Sequence, residues 1–184
     1  MQNATSQFSR AVVQRRVAEL CLDTSNQVLV DHWFSLWSGD ALPTREQFSP
    51  ARIKPFLPSM LIFEVVPDES ITVRLAGTGY RFILDRDPTG SDWIAAAPAS
   101  HRKIRLRMFS TVARGGFLVA HRRIAMLATE DYISEEILFP LAQRANGSVP
   151  IVAHVNFTQD QIARVRSIAQ VNGDPIDHQL ITFA

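Results

Sequence analysis

Residues 71–93 read ITVRLAGTGYRFILDRDPTGSDW, and a change of period inside this stretch decides the fold. Ile71, Val73 and Leu75 alternate with Thr72, Arg74 and Ala76, the two-residue repeat of a half-buried strand. The pattern breaks at Gly77-Thr78-Gly79. A short aromatic helix follows over residues 80–84, and Asp87-Pro88-Thr89-Gly90 turns the chain. Strand, glycine break, short helix and turn predict a sheet with small helices laid over it.

Working outward, residues 60–66 form a second apolar strand, joined to the first through Pro67-Asp68-Glu69-Ser70 as a hairpin. Downstream, residues 98–114 predict a long helix with Ile104, Met108 and Val112 on one stripe, ended by Gly115-Gly116. Three strands follow at 117–127, 132–141 and 149–157. Short polar connections make them antiparallel neighbours. The helical crossover of about forty residues is too long for a bare loop in a compact domain. The expectation is therefore an α+β domain whose single antiparallel sheet is covered on one face by short helices and one long crossover helix.

Ahead of the sheet, Phe8, Val12, Val13, Val17 and Leu20 form an apolar stripe on a helix over residues 7–22. This helix packs either on its own domain or on a second subunit. Asp23-Thr24-Ser25-Asn26 offers N-caps for a helix over 27–37, with Val28, Leu29, Trp33, Leu36 and Trp37 on its heavy face. Residues 51–57, bounded by Pro50 and Pro58, predict one short helix, and the two tryptophans before it read as a packing platform. Residues 161–169 turn helical again, and 180–183 form an apolar tail. The expected division is a helical extension at 1–26, a core domain at 27–157 and a helix and tail at 158–184.

The 184 residues carry 46% hydrophobic and 20% charged side chains with a net charge of +1, which argues against a dedicated nucleic-acid binder. The lone Cys21 excludes an internal disulfide framework. No apolar run approaches the roughly 18 residues of a membrane span, and the N-terminus lacks a signal-peptide layout, so a cytoplasmic protein is expected. Catalytic motifs are missing from the sequence. His32, His101, His121, His154 and His178 show no metal-ligand spacing, and Gly77-Thr78-Gly79 lacks the later glycine of a phosphate loop. Glu135 and Glu136, adjacent on a strand, point to opposite faces. Between Trp93 and Thr129 all formal charge is positive, with Arg102, Lys103, Arg105, Arg107, Arg114, Arg122 and Arg123. A three-residue loop would set Arg122 opposite Glu136 and Arg123 opposite Glu135, neutralising part of that run.

Several stretches carry a family resemblance. They are Leu75-Ala76-Gly77-Thr78-Gly79-Tyr80, Asp87-Pro88-Thr89-Gly90, the run Trp33…Trp37…Leu42-Pro43-Thr44-Arg45…Phe48-Ser49-Pro50…Leu57-Pro58, and Leu138-Phe139-Pro140-Leu141. In their order and spacing they resemble a bacterial PAS-like family of mostly single-domain proteins, over residues 27–157. The resemblance implies a five-stranded sheet of order 2-1-5-4-3, a cavity between sheet and central helices, and a sensory or dimerisation role without catalysis. Related modules hold haem, flavin or small organic ligands. Light-sensing flavin chemistry needs a cysteine on the helix at 79–84, which has none, and His101, the candidate haem ligand, sits among arginines. No cofactor or metal is therefore expected. The candidate pocket residues are Tyr80, Phe82, Ile83, Trp93, Met108, Phe109 and His121. The expected protein is a non-catalytic sensory domain that binds a small ligand or a signalling partner, neither nucleic acid nor membrane, and dimerises through the 7–22 helix. Its rivals are an interaction module with a filled core and an enzyme of unrecognised type.

Overall fold

A computed structural model describes residues 9–84, 86–124, 132–156 and 177–183, with backbone alone for Pro50, Phe82, Ile83, Tyr132, Asp177 and residues 122–124. Two helices come first, α1 (Arg10–Ala18) and α2 (Thr24–Ser35). Asp23 caps α2 by accepting from the Ser25 amide at 2.9 Å. The Arg10 amide, in the first turn of α1, donates to Asp40 at 2.7 Å, tying that helix to the turn after α2. Between Pro50 and Ser59 the chain makes two 3₁₀ segments, Pro50–Arg52 and Lys54–Ser59, where one short helix over 51–57 was expected. Pro55 and Pro58 each remove a backbone donor, so an α-helical ladder cannot run through them.

Strands β1 (Met60–Val66) and β2 (Ser70–Ala76) form the expected hairpin. Helix α3 (Thr78–Leu84) starts at once after Gly77. A Cβ on Gly77 would lie 2.0 Å from the Leu57 carbonyl oxygen, so only glycine lets the second 3₁₀ segment pass this corner. The outer edge of β2 is closed by the following turn: Gly90 and Trp93 donate to the Val73 and Ile71 carbonyls at 2.7 and 2.9 Å. Helix α4 (Ala99–Ala113) then crosses to β3 (Gly116–Ile124), β4 (Tyr132–Pro140) and β5 (Val149–Val155).

The sheet is antiparallel with order β2-β1-β5-β4-β3-β6, the expected 2-1-5-4-3 arrangement extended by one strand, β6 (Asp177–Thr182). The tail thus pairs with β3, Leu180 facing Leu118. The expected helix at 161–169 lies outside the described residues. The β3–β4 pairing also differs from expectation: Arg122 faces Ser134, Arg123 faces Ile133, and His121 faces Glu135. The register thus differs by two residues from the one that a three-residue loop around Thr129 would set.

Helices cover both faces of the sheet, where cover on one face was expected. On one side, Val13 and Val17 of α1 and Leu29, Val30, Trp33 and Phe34 of α2 pack with Phe117, Phe139 and Val152. On the other, Tyr80 of α3 and Phe109 and Val112 of α4 pack with Phe63, Leu118, Leu138 and Ile151. The tryptophans do form a platform: Trp33 lies 4.9 Å from Phe139 and 5.1 Å from Trp37, and its indole N–H donates to the Pro140 carbonyl at 3.1 Å. Of the α1 stripe expected to meet a second subunit, Val13 and Val17 are buried in this core at no more than 1% exposure, while Val12 is 39% exposed. Ile181 and Phe183 join the same core, so elements on both sides of the 27–157 span pack onto its sheet. Among the described residues no helix is long and apolar enough to cross a membrane.

Candidate functional site

Strand alternation brings one hydrogen-bonded polar group together on the α1/α2 face. On the α1/α2 side, Asn26 of α2 reaches down to Glu135 of β4 and His154 of β5. Its amide nitrogen donates to the Glu135 carboxylate at 2.7 Å and the Glu135 carbonyl at 3.2 Å. That orients the amide oxygen toward His154 Nδ1, 2.6 Å away. An acceptor there places the imidazole proton on Nδ1 and leaves Nε2 to accept from the Ser59 hydroxyl at 3.0 Å. Burial pushes the His154 pKa down to about 4, against a weaker opposing pull from Asp23. Glu135 also accepts from the Asp23 amide at 2.9 Å, and His121 Nε2 stands 3.4 Å from its second oxygen. Asn156 donates its amide to the Glu135 carbonyl and accepts the Glu135 amide at 2.8 Å.

Ser59, His154 and Asn26 have the order of a nucleophile, its base and an orienting group. All three are buried, Ser59 at 4% and Asn26 at 0% exposure, and the Phe56 ring lies edge-on to His154 at 5.5 Å. A carbonyl or phosphoryl group has no approach to the Ser59 oxygen. The arrangement joins α2, the second 3₁₀ segment, β4 and β5 through satisfied polar bonds. These residues carried only weak signals in sequence: a lone Asn at the start of an apolar helix face, and a His inside the apolar run VPIVAHV.

The residues expected to line a pocket divide between the two faces. Tyr80, Trp93 and Phe109 belong to one cluster on the α3/α4 side, with Met108 packed at its margin. Phe63 lies at the centre, 5.5 Å from Trp93 and 4.9 Å from Phe109 in edge-to-face contact. Phe82 and Ile83 lie on α3, and their side chains are outside the described set. His121 does not join this group. It pairs with Glu135 on the α2 side, because Leu118 and Ala120 take the positions in β3 that face α4. His101 sits in the first turn of α4, its amide bonded to the Pro98 carbonyl at 2.9 Å.

Arginines of the basic run brace loops. Arg105 donates to the Trp93 carbonyl at 2.8 Å and lies 5.0 Å over the Trp93 ring, Arg102 donates to Ala97 at 3.1 Å, and Arg114 pairs with Asp68. A second polar group surrounds Glu64 of β1. It accepts from Ser148, from Arg74 at 2.7 Å and from Arg144 at 3.3 Å. The Ser148 bond and the two guanidiniums hold this carboxyl below the usual carboxylate range against the effect of burial. Beside Arg144, residues 44–46 and 142–145 line a half-open cleft of about 380 Å³. No group of three or more His, Cys, Asp or Glu among the described residues is placed to hold a metal ion.

An antiparallel sheet in this strand order, a crossover of helices over one face, and the alternation just described define a PAS fold. The PAS domain family profile matches residues 22–154, well over half of the sequence, and the chain belongs to that family. Comparisons with curated proteins and with solved structures returned no match. Family membership brings a sensory or regulatory role, which PAS domains generally serve without catalysis.

Proposed function

We propose that the chain is a non-catalytic sensory domain that holds a small, mostly apolar ligand on the α3/α4 side of its sheet. One observation carries this reading: the hydrogen-bonded Asn26, Glu135 and His154 lie on the α1/α2 face, while the cluster of Tyr80, Trp93, Phe109 and Met108 is built from apolar and aromatic groups, with the small hydroxyls of Ser110 and Ser134 buried on its side. Small-ligand sites have that composition, an apolar wall with a few polar tips such as the Tyr80 hydroxyl and the Trp93 indole. The other face supports the lack of catalysis, since its Ser59–His154 pair is buried. Native mass spectrometry of protein purified from cell extract tests the ligand. The expected result is a small molecule that survives gentle ionisation and is released on denaturation.

A second reading is an interaction module with a filled core, favoured by the close ring contacts of Phe63 with Trp93 and Phe109. A bare polypeptide in that spectrum, with the Trp93 indole resonance unmoved by apolar extract, would select it.

A further inference from the structure

We propose that the cleft between residues 44–46 and 142–145 is a binding site for a small oxyanion, a carboxylate or phosphate group, held by Arg45 with Arg144 as its second contact. The site lies at the β4–β5 connection and is independent of the ligand reading above. Arg45 donates one N–H to the Phe48 carbonyl at 3.1 Å, which orients its fork and leaves four of its five donors. Among the described residues no carboxylate stands within ion-pair distance of Arg45. Glu46, its sequence neighbour, turns back on its own amide and the Thr44 hydroxyl, and these bonds hold its carboxyl below the usual range.

Arg144 does have a carboxylate, Glu64, but shares it with Arg74. Three guanidiniums thus face two carboxylates, one of them turned into its own loop. Burial, and then the nearness of Arg144, pull the Arg45 pKa down, the sign of two cations crowded without enough counter-charge. Two guanidiniums lining one cleft, from its two sides, offer the charge and forked donors that carboxylates and phosphates accept. The walls are also braced before any ligand arrives. Ala142 donates to the Pro43 carbonyl at 2.8 Å, Arg144 to Ser148 at 2.9 Å, and the Thr44 amide to the Gln47 side chain at 2.8 Å. A volume of about 380 Å³ admits a small molecule and not a polymer.

The test is an amide chemical-shift titration of the full chain with succinate and, separately, with inorganic phosphate, both at constant ionic strength. Saturable shifts confined to residues 43–48 and 141–148 are expected, and the tighter of the two probes assigns the carboxylate or the phosphate class. Arg45→Gln should weaken binding by about tenfold or more. Glu46→Gln should strengthen it by about threefold, because it removes a repelling charge. Linear, non-saturating shifts with both probes, or shifts centred on the arginines of α4, would overturn the site. If Arg45→Gln loses its native spectrum, Glu46→Gln decides alone: unchanged or weaker binding overturns the proposal.

Discussion

The two faces of this sheet are built from the same strands and do different physical work. The α3/α4 face is an apolar cluster in which Phe63 contacts Trp93 and Phe109, so its cohesion is burial and ring packing. The α1/α2 face is equally buried around Trp33, yet it threads a chain of hydrogen bonds from Ser59 through His154 and Asn26 to Glu135. Apolar packing tolerates exchange of one shape for another. A buried polar chain does not, because each member left alone keeps its desolvation cost. The difference teaches which face can vary: the apolar side can change its occupant, while the polar side holds one geometry.

The largest effect should come where packing is densest. Trp33→Ala should destabilise the fold by about 4–5 kcal/mol in urea unfolding, and Phe109→Ala on the opposite face by about 3–4 kcal/mol. A loss below about 2 kcal/mol for Trp33→Ala would mean that the α1/α2 layer is not part of the core. Next comes Asn26→Leu, which keeps approximate volume but strips the partners of both Glu135 and His154. About 3 kcal/mol is expected, against less than about 1.5 kcal/mol for a volume-conserving exchange on the apolar face. Equal losses would erase the distinction between the faces.

The third prediction uses pH. The folded pKa of His154, about 4, lies below its ordinary value of 6.5, so the unfolded chain binds the extra proton between those values. The stabilising contribution is therefore complete above pH 6.5 and is lost as pH falls toward 4. At 1.36 kcal/mol per unit it amounts to about 3 kcal/mol. Asp23 and Glu64, whose pKa values are also lowered, add losses only at the acid end of that window. Denaturation midpoints measured from pH 7 to 5 should thus fall in the parent chain and fall less steeply in His154→Gln, where His32, whose pKa burial and then Arg52 also lower, keeps part of the slope. Parallel slopes would show that another group supplies the pH dependence.

Much of the fold was legible because period and punctuation carry it. The alternation in β2, the break at Gly77 and the stop at Gly115-Gly116 placed the strands and the crossover, and the expected strand order holds. The sixth strand was not legible, because a short apolar tail has no pattern of its own until β3 offers an edge. The β3–β4 register was not legible either, because composition does not fix which residues of two neighbouring strands face each other. The polar face was the least legible. Asn26, Glu135 and His154 are far apart in sequence, and only the alternation of β4 and β5 beneath α2 brings them together. His121 was misplaced for the same reason: one step along a strand exchanges faces.

Gly77 sits at the seam between the two layers. Its amide donates to the Met60 carbonyl at 2.8 Å, just where β2 ends and α3 begins, and the backbone of Leu57 and Pro58 crosses within contact of its missing side chain. The 3₁₀ segment that crosses there carries Ser59, the end of the polar chain, while α3 carries Tyr80 of the apolar cluster. A methyl group at Gly77 would meet backbone, which cannot rotate away, so Gly77→Ala must move one layer or the other. A destabilisation of about 2 kcal/mol is expected, and the direction of the movement is measurable. If the 3₁₀ segment yields, the Ser59–His154 bond lengthens and the His154 ring resonances shift while those of Trp93 stay fixed. If α3 yields instead, the Trp93 indole moves and His154 does not. The polar side has the bonds to resist, so the α3 response is expected, and a shift of His154 alone would reverse the assignment of the rigid and adaptable faces.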